Sequence, residues 1–230
     1  MALITPGPMA GQISGRLGSA VFSHNRGGPY VRNGTIPTLV TSQAAINAKG
    51  RLSAQSQAWD NLTAAQRLAW QEWALANPVT NRLGSQVTIG GNAAFVGINT
   101  RLAYAGDTPL TDPPIVDPPP ALATLAGTLD IGAGDFELTF TATPLAADIR
   151  LWVLLTVLSN TAINYVENRL RLLMVSDKAQ ASPLDIESET EARFGTLQVG
   201  QKVVARVSTF DSTTGLLSAP LQVSDLIVST

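Results

Sequence analysis

The sequence predicts an α+β protein in several parts. These are an extended basic arm over 1–41, a small helical segment over 42–106, a proline-rich linker over 107–120 and an all-β sandwich over 121–230. Three observations predict this organisation. The first 59 residues carry five basic side chains and no acidic one, and they are studded with glycine and proline. Apolar residues then recur at helical spacing between capping signals. Beyond a run of prolines the apolar period changes to two.

The arm holds Gly7-Pro8, Gly11, Gly15, Gly18, Gly27-Gly28-Pro29, Gly34 and Pro37. Such a stretch cannot bury enough apolar surface to order itself, so it reads as a segment that gains order by lying on something else. Its small residues, Ser14-Gly15 and Gly18-Ser19-Ala20 among them, let the backbone pass close to another surface. Two β-like pieces, Ala20-Val21-Phe22 and Tyr30-Val31-Arg32, suit addition to a partner's sheet edge. Arg16, Phe22, Arg26, Tyr30 and Arg32 are therefore the candidate partner-binding residues.

Ser42 reads as an N-cap, and Ala45, Ile46, Lys49 and Leu52 follow helical spacing behind it. Thr63 with Gln66 forms a capping box, Leu62 can staple against the first turn, and Asn77-Pro78 ends that helix. Trp59, Trp70 and Trp73 supply a miniature core in preference to a base-stacking platform. Residues 83–90 suggest a short strand. Ala93, Phe95-Val96, Ile98 and Leu102 mark a third helix that Gly106 closes. Pro109, Pro113, Pro114 and Pro118 to Pro120 make the following linker stiff and extended.

Past the linker, Phe136, Leu138 and Phe140 alternate with polar residues, 151–158 is a buried strand, and Leu170, Leu172 and Met174 or their offset partners form another. Val203, Ala205, Val207 and Thr209 alternate, a turn covers 211–215, and a last strand lies near 221–228. About seven short strands separated by turn signals argue for a sandwich of immunoglobulin or fibronectin type III kind, the latter because there is no cysteine. Trp152 falls where such folds bury a tryptophan.

Composition narrows the function. Charged residues are 14% of the chain, against roughly 25% in ordinary soluble proteins. Mean hydropathy is +0.16, yet no apolar run reaches the roughly 18 residues of a membrane helix. Burial against neighbouring subunits accounts for such a surface; abundant Ser, Thr, Asn and Gln is the plainer account. Residues 1–106 carry a net +6 and residues 107–230 a net −8, which supports basic-on-acidic packing or nucleic-acid contact. Residues 1–10 have no cationic start and contain two prolines, so they do not read as a secretory leader.

No active site is legible. His24 is the only histidine and lies in the arm, where a general base would lack fixed geometry. The glycines at 11, 15 and 18 lack the Gly-Lys-Ser/Thr of a phosphate loop. Asp185, Glu187, Glu189 and Glu191 alternate and on an extended segment would share one face suited to calcium; a solvated loop is the plainer reading. No catalytic residue, metal or cofactor is expected. Arg16, Arg26 and Arg32 have little aromatic interleaving, so protein is the expected contact of the arm and nucleic acid is not.

Three segments carry a resemblance: Gly11 through Ser23 (GQISGRLGSAVFS), Gly28-Pro29-Tyr30-Val31-Arg32, and Trp59 through Trp70 (WDNLTAAQRLAW). Together they resemble a family of phage and prophage structural proteins with a Ser-Gly-x-x-Gly arm, a Leu-Thr-x-x-Gln-Arg-x-x-Trp helical stretch and often a β-sandwich. The resemblance implies a virion structural protein, first a capsid decoration, cement or minor head protein. Its partners would be the major capsid protein or other virion subunits, with homo-oligomers in the particle and no membrane. The alternative is a tail, baseplate or fibre component whose sandwich binds a host glycan or a tail partner, with Tyr165 and Phe194 as candidate exposed aromatics.

Overall fold

The computed structural model describes residues 2–3, 13–25, 28–35, 42–80 and 86–229. It is a mixed α+β structure with antiparallel sheets. The chain divides into two compact units, residues 1–47 and 48–230.

The first unit is a four-stranded antiparallel sheet. Its strands are β1 (Ala2–Leu3), β2 (Gly15–Leu17), β3 (Ala20–Asn25) and β4 (Gly28–Asn33), in the order β1-β4-β3-β2. The pieces expected to seek a partner's sheet edge pair with each other instead, Val21 opposite Arg32 and Phe22 opposite Val31. The reason is local. Leu17 pairs with Ala20, so Gly18-Ser19 is a two-residue hairpin loop, the length that closes antiparallel strands most readily. Arg16 Nε donates to Gly18 O at 2.9 Å, and Gly34 N donates to Ser19 O at 2.6 Å, which fixes that loop from both sides.

The helix α1 (Gln43–Asp60) begins in the first unit and continues in the second. Helix α2 (Ala64–Ala76) starts on the expected capping box: Gln66 N donates to Thr63 Oγ1 at 3.2 Å and Thr63 N donates to Gln66 Oε1 at 3.1 Å. Thr63→Ala should cost about 1 kcal/mol in unfolding free energy, read as a lower urea midpoint. Between α2 and α3 (Gly91–Ala105), β5 (Val79–Thr80) pairs with β6 (Gln86–Val87); of the strand expected over 83–90, 86–87 is strand, 88–90 is not, and 83–85 lie outside the described residues. Gly106 closes α3 in the left-handed region, at φ 78°.

Helices α2 and α3 meet closely. A Cβ at Gly91 would lie 2.8 Å from the backbone nitrogen of Gln71, so only glycine fits there. Trp70, Phe95, Ile98 and Leu102 fill the contact and are fully or almost fully buried. The tryptophan core is larger than the miniature one expected, because Phe210 and Leu216 from the sheet region join it.

The remaining strands form two antiparallel sheets. They are β7 (Thr124–Asp130), β8 (Asp135–Thr141), β9 (Ile149–Leu158), β10 (Arg171–Val175), β11 (Leu184–Asp185), β12 (Lys202–Asp211) and β13 (Leu221–Leu226). The orders are β11-β8-β7 and β10-β9-β12-β13. Both sheets contribute to one apolar core: Leu129, Phe136, Leu138, Phe140 and Leu184 from one, Leu151, Val153, Leu155, Leu173, Val203, Ala205 and Val207 from the other. On β10 the offset partner Leu173 points inward, beside a register shift between Leu172 and Met174.

One expectation is corrected here. Trp152 is not in that core. Leu151, Val153 and Leu155 face inward, and a strand alternates, so Trp152 faces outward. There its ring packs 5.5 Å from Phe210 and 5.6 Å from Tyr104 of α3. Residues 107–120, expected as a stiff, extended linker, are held at several points by the elements around them. Trp70 Nε1 donates to Thr111 O at 2.9 Å, Asn99 exchanges two bonds with the Leu110 backbone at 2.7 and 2.9 Å, and Thr209 Oγ1 donates to Pro120 O at 2.7 Å. Prolines cannot donate, and these four backbone groups are met by side chains of helix and strand alike. Pro114 and Pro119 are buried, and Ile115 stands fully exposed between them.

Candidate interaction interface

The first unit has no core of its own: among its described residues, none of the side chains from 13 to 35 is buried. Register shows what its two faces offer. Residues directly opposite one another in an antiparallel sheet share a face, and neighbours along a strand alternate. Leu17, Ala20 and Asn33 are in register, as are Gly15, Phe22 and Val31, and His24 with Pro29. These pairs build one face, apolar at Leu17, Ala20, Phe22, Pro29 and Val31. Arg16, Val21 and Arg32 are in register across three strands, and Ser23 with Tyr30. These build the opposite face, which is cationic.

The sequence-expected residues therefore separate. Arg16, Tyr30 and Arg32 share the cationic face, whereas Phe22 lies on the apolar one. Arg26 lies outside the described residues. Leu17 and Val31 belong with Phe22 and were not singled out from sequence; the period-two alternation on either side of Gly18-Ser19 is the signal that would have found them. Leu17 is 75% exposed, whereas Phe22, Val31 and Tyr30 are half-buried. Arg16 and Arg32 are exposed. Leaving an apolar face and a pair of arginines on opposite sides of a thin sheet suits contact with other surfaces on both sides. His24 is exposed on β3, on the apolar face opposite Pro29.

A second polar cluster lies at the end of α3. Asp107 Oδ1 meets Arg150 at 3.2 Å and Lys178 at 3.6 Å, and Lys178 also reaches Asp148 at 3.5 Å. The Asp107 side chain is 8% exposed. One carboxylate between two cations ties the helical segment to β9, which is a structural role.

The acidic alternation does not form a cation site. Residues Glu187–Phe194 are a helix, α4, which leaves Glu187 and Glu191 on one face but turns Glu189 to the opposite one, so the three do not share a face as an extended strand would place them. Asp185 Oδ1 accepts from Glu187 N at 2.9 Å at the entry to α4. Among the described residues no group of three or more His, Cys, Asp or Glu side chains is placed to hold a metal ion. Phe194, expected as an exposed aromatic, packs against the sheet core, while Tyr165 is 66% exposed. Among the described residues no helix is long and apolar enough to cross a membrane.

Compared with protein-family models, with curated proteins and with solved structures, the chain finds no match.

Proposed function

We propose that this protein is a structural component of a tailed-bacteriophage virion, a capsid decoration, cement or minor head protein that binds neighbouring subunits through its N-terminal unit. The observation that carries the reading is the first unit itself: a sheet with no buried side chain among its described residues, apolar on one face and cationic on the other, in a stretch of 59 residues with no acid. A thin sheet of this kind gains most of its stability from what covers it. Its partners are the major capsid protein or other virion subunits, together with further copies of the chain, and its role is assembly and not catalysis. The arm and helical motifs that resemble phage structural proteins support the same reading.

The second unit is, in this reading, a fibronectin III-like sandwich with a helical appendage. Numbering its seven strands A, B, C, C′, E, F and G in chain order gives E-B-A for one sheet and C′-C-F-G for the other. Such domains serve as rigid spacers and presentation modules, which suits a protein displayed on a particle.

The test is binding to assembled virions from the source. The full chain should co-sediment with particles. Phe22→Asp with Val31→Asp, placed on the apolar face, should abolish co-sedimentation, and so should removal of residues 1–41. Far-UV circular dichroism of each variant should show the signal of residues 48–230 retained. Binding that survives both changes overturns the assignment of the interface to the N-terminal unit.

A further inference from the structure

We propose that the cationic face of the first unit docks on the outer face of the β11-β8-β7 sheet of another copy of the chain, joining copies head to tail. This names the neighbour of one face of the interface and rests on the reading above only in leaving the apolar face to the particle.

The receiving surface is a sheet face with an unresolved charge conflict. On β8 the residues facing away from the core are Asp135, Glu137, Thr139 and Thr141, and Asp185 of β11 sits directly opposite Glu137. Like charges directly opposite one another destabilise a strand pair. Neither Glu137 nor Asp185 has an ion-pair partner among the described residues. The rest of that face comes from Thr124, Ala126 and Thr128 of β7, in register with Thr141, Thr139 and Glu137. These side chains are short; Glu137 is half-buried among them, and Asp185 is exposed with one carboxylate oxygen held by Glu187 N.

The cationic face is its counterpart. Arg16 and Arg32 flank Val21 in register, so their strands are two spacings apart, about 10 Å. Glu137 and Asp185 are one spacing apart, about 5 Å. Arg16 keeps its Nε on Gly18 O and has its two terminal nitrogens left to offer, and the planar fork of an arginine matches a carboxylate. Residues 1–59 supply no acid to repel the surface, and Val21 between the arginines meets threonine methyl groups. The two patches are different surfaces, so the contact is heterologous. It closes into rings or continues as chains, according to its rotation, and is not a two-fold dimer.

Sedimentation velocity of the full chain over a concentration series tests this. Association should appear at low salt and weaken in about 1 M salt, where the screening length falls to about 3 Å. Arg16→Glu with Arg32→Glu should weaken it at least about tenfold, and so should Glu137→Lys with Asp185→Lys. An equimolar mixture of the two double variants should associate again, because each supplies the face the other now needs. Far-UV circular dichroism checks that both remain folded. A wild-type chain that stays monomeric, association indifferent to both reversals, or a mixture that fails to associate overturns the proposal. Failure here leaves particle binding through Phe22 and Val31 standing, and failure of that binding leaves self-association standing.

Discussion

Trp70→Ala should lower the stability of the second unit by about 3–5 kcal/mol, the range for deleting a fully buried large aromatic. Trp70 has no exposed surface. Its ring meets Phe95 edge-on at 5.4 Å and Trp73 at 5.9 Å, so truncation opens a cavity at the meeting point of α2 and α3. It also removes the indole N–H that holds Thr111 O. The expected result in urea is a midpoint far below that of the wild type at a similar slope. Limited proteolysis should show early cleavage within 107–120, because that segment loses one of its ties to the helices. Trp70→Phe separates the two contributions. It keeps much of the packing and should cost about 1–3 kcal/mol, the scale of a buried carbonyl left without its donor plus a smaller void. A Trp70→Ala variant as stable as wild type would mean that the helices are not held by this core.

The helical segment was legible because its signals are local. Thr63 with Gln66, Asn77-Pro78 and Gly106 each mark a helix end within four residues of the chain, and all three ends lie where those residues set them. The two-period strands were legible for the same reason: Phe136, Leu138 and Phe140 alternate inward as their spacing requires. What sequence could not show was pairing at a distance. Trp152 was expected in the core from its position along the chain, but strand parity and the arrival of Tyr104 and Phe210 put it under α3. The proline segment reads as a spacer from composition alone, and its anchors, Trp70, Asn99 and Thr209, are 41, 11 and 89 residues from the atoms they hold.

The candidate interface was half legible for a related reason. The basic and apolar residues of the arm are visible in one dimension, but their division into two faces depends on the register fixed by Gly18-Ser19. Without that hairpin, Arg16, Phe22 and Arg32 read as one mixed patch. With it, the arginines and the phenylalanine lie on opposite sides of the sheet.

Gly215→Ala is the other change with a large expected effect, and its cause can be isolated. Gly215 follows the turn in which Asp211 Oδ1 accepts from Thr213 N at 2.7 Å and Thr214 N at 3.3 Å. Burial opposes the Asp211 charge, but the hydrogen bonds from Thr213 and Thr214 outweigh it and hold the carboxyl below its usual value. That rigid turn sets Gly215 at φ 69° and seats it against α3, where Arg101 Nε donates to its carbonyl at 3.0 Å. A Cβ there would lie 2.8 Å from Ile98 Cγ2 and 3.0 Å from Leu102 Cγ. Gly106 has a similar φ of 78° but open space around its Cβ position. Gly106→Ala should therefore cost only the left-handed conformation, about 1–2 kcal/mol. Gly215→Ala should cost that amount plus about 1–3 kcal/mol for overpacking the helix against the sheet. Both glycines are in the second unit, so urea midpoints measured under one condition compare them directly. The excess of Gly215→Ala over Gly106→Ala measures how tightly α3 is pressed on the turn after β12. Equal costs would show that α3 yields there and that the helical segment is only loosely seated on the sheets.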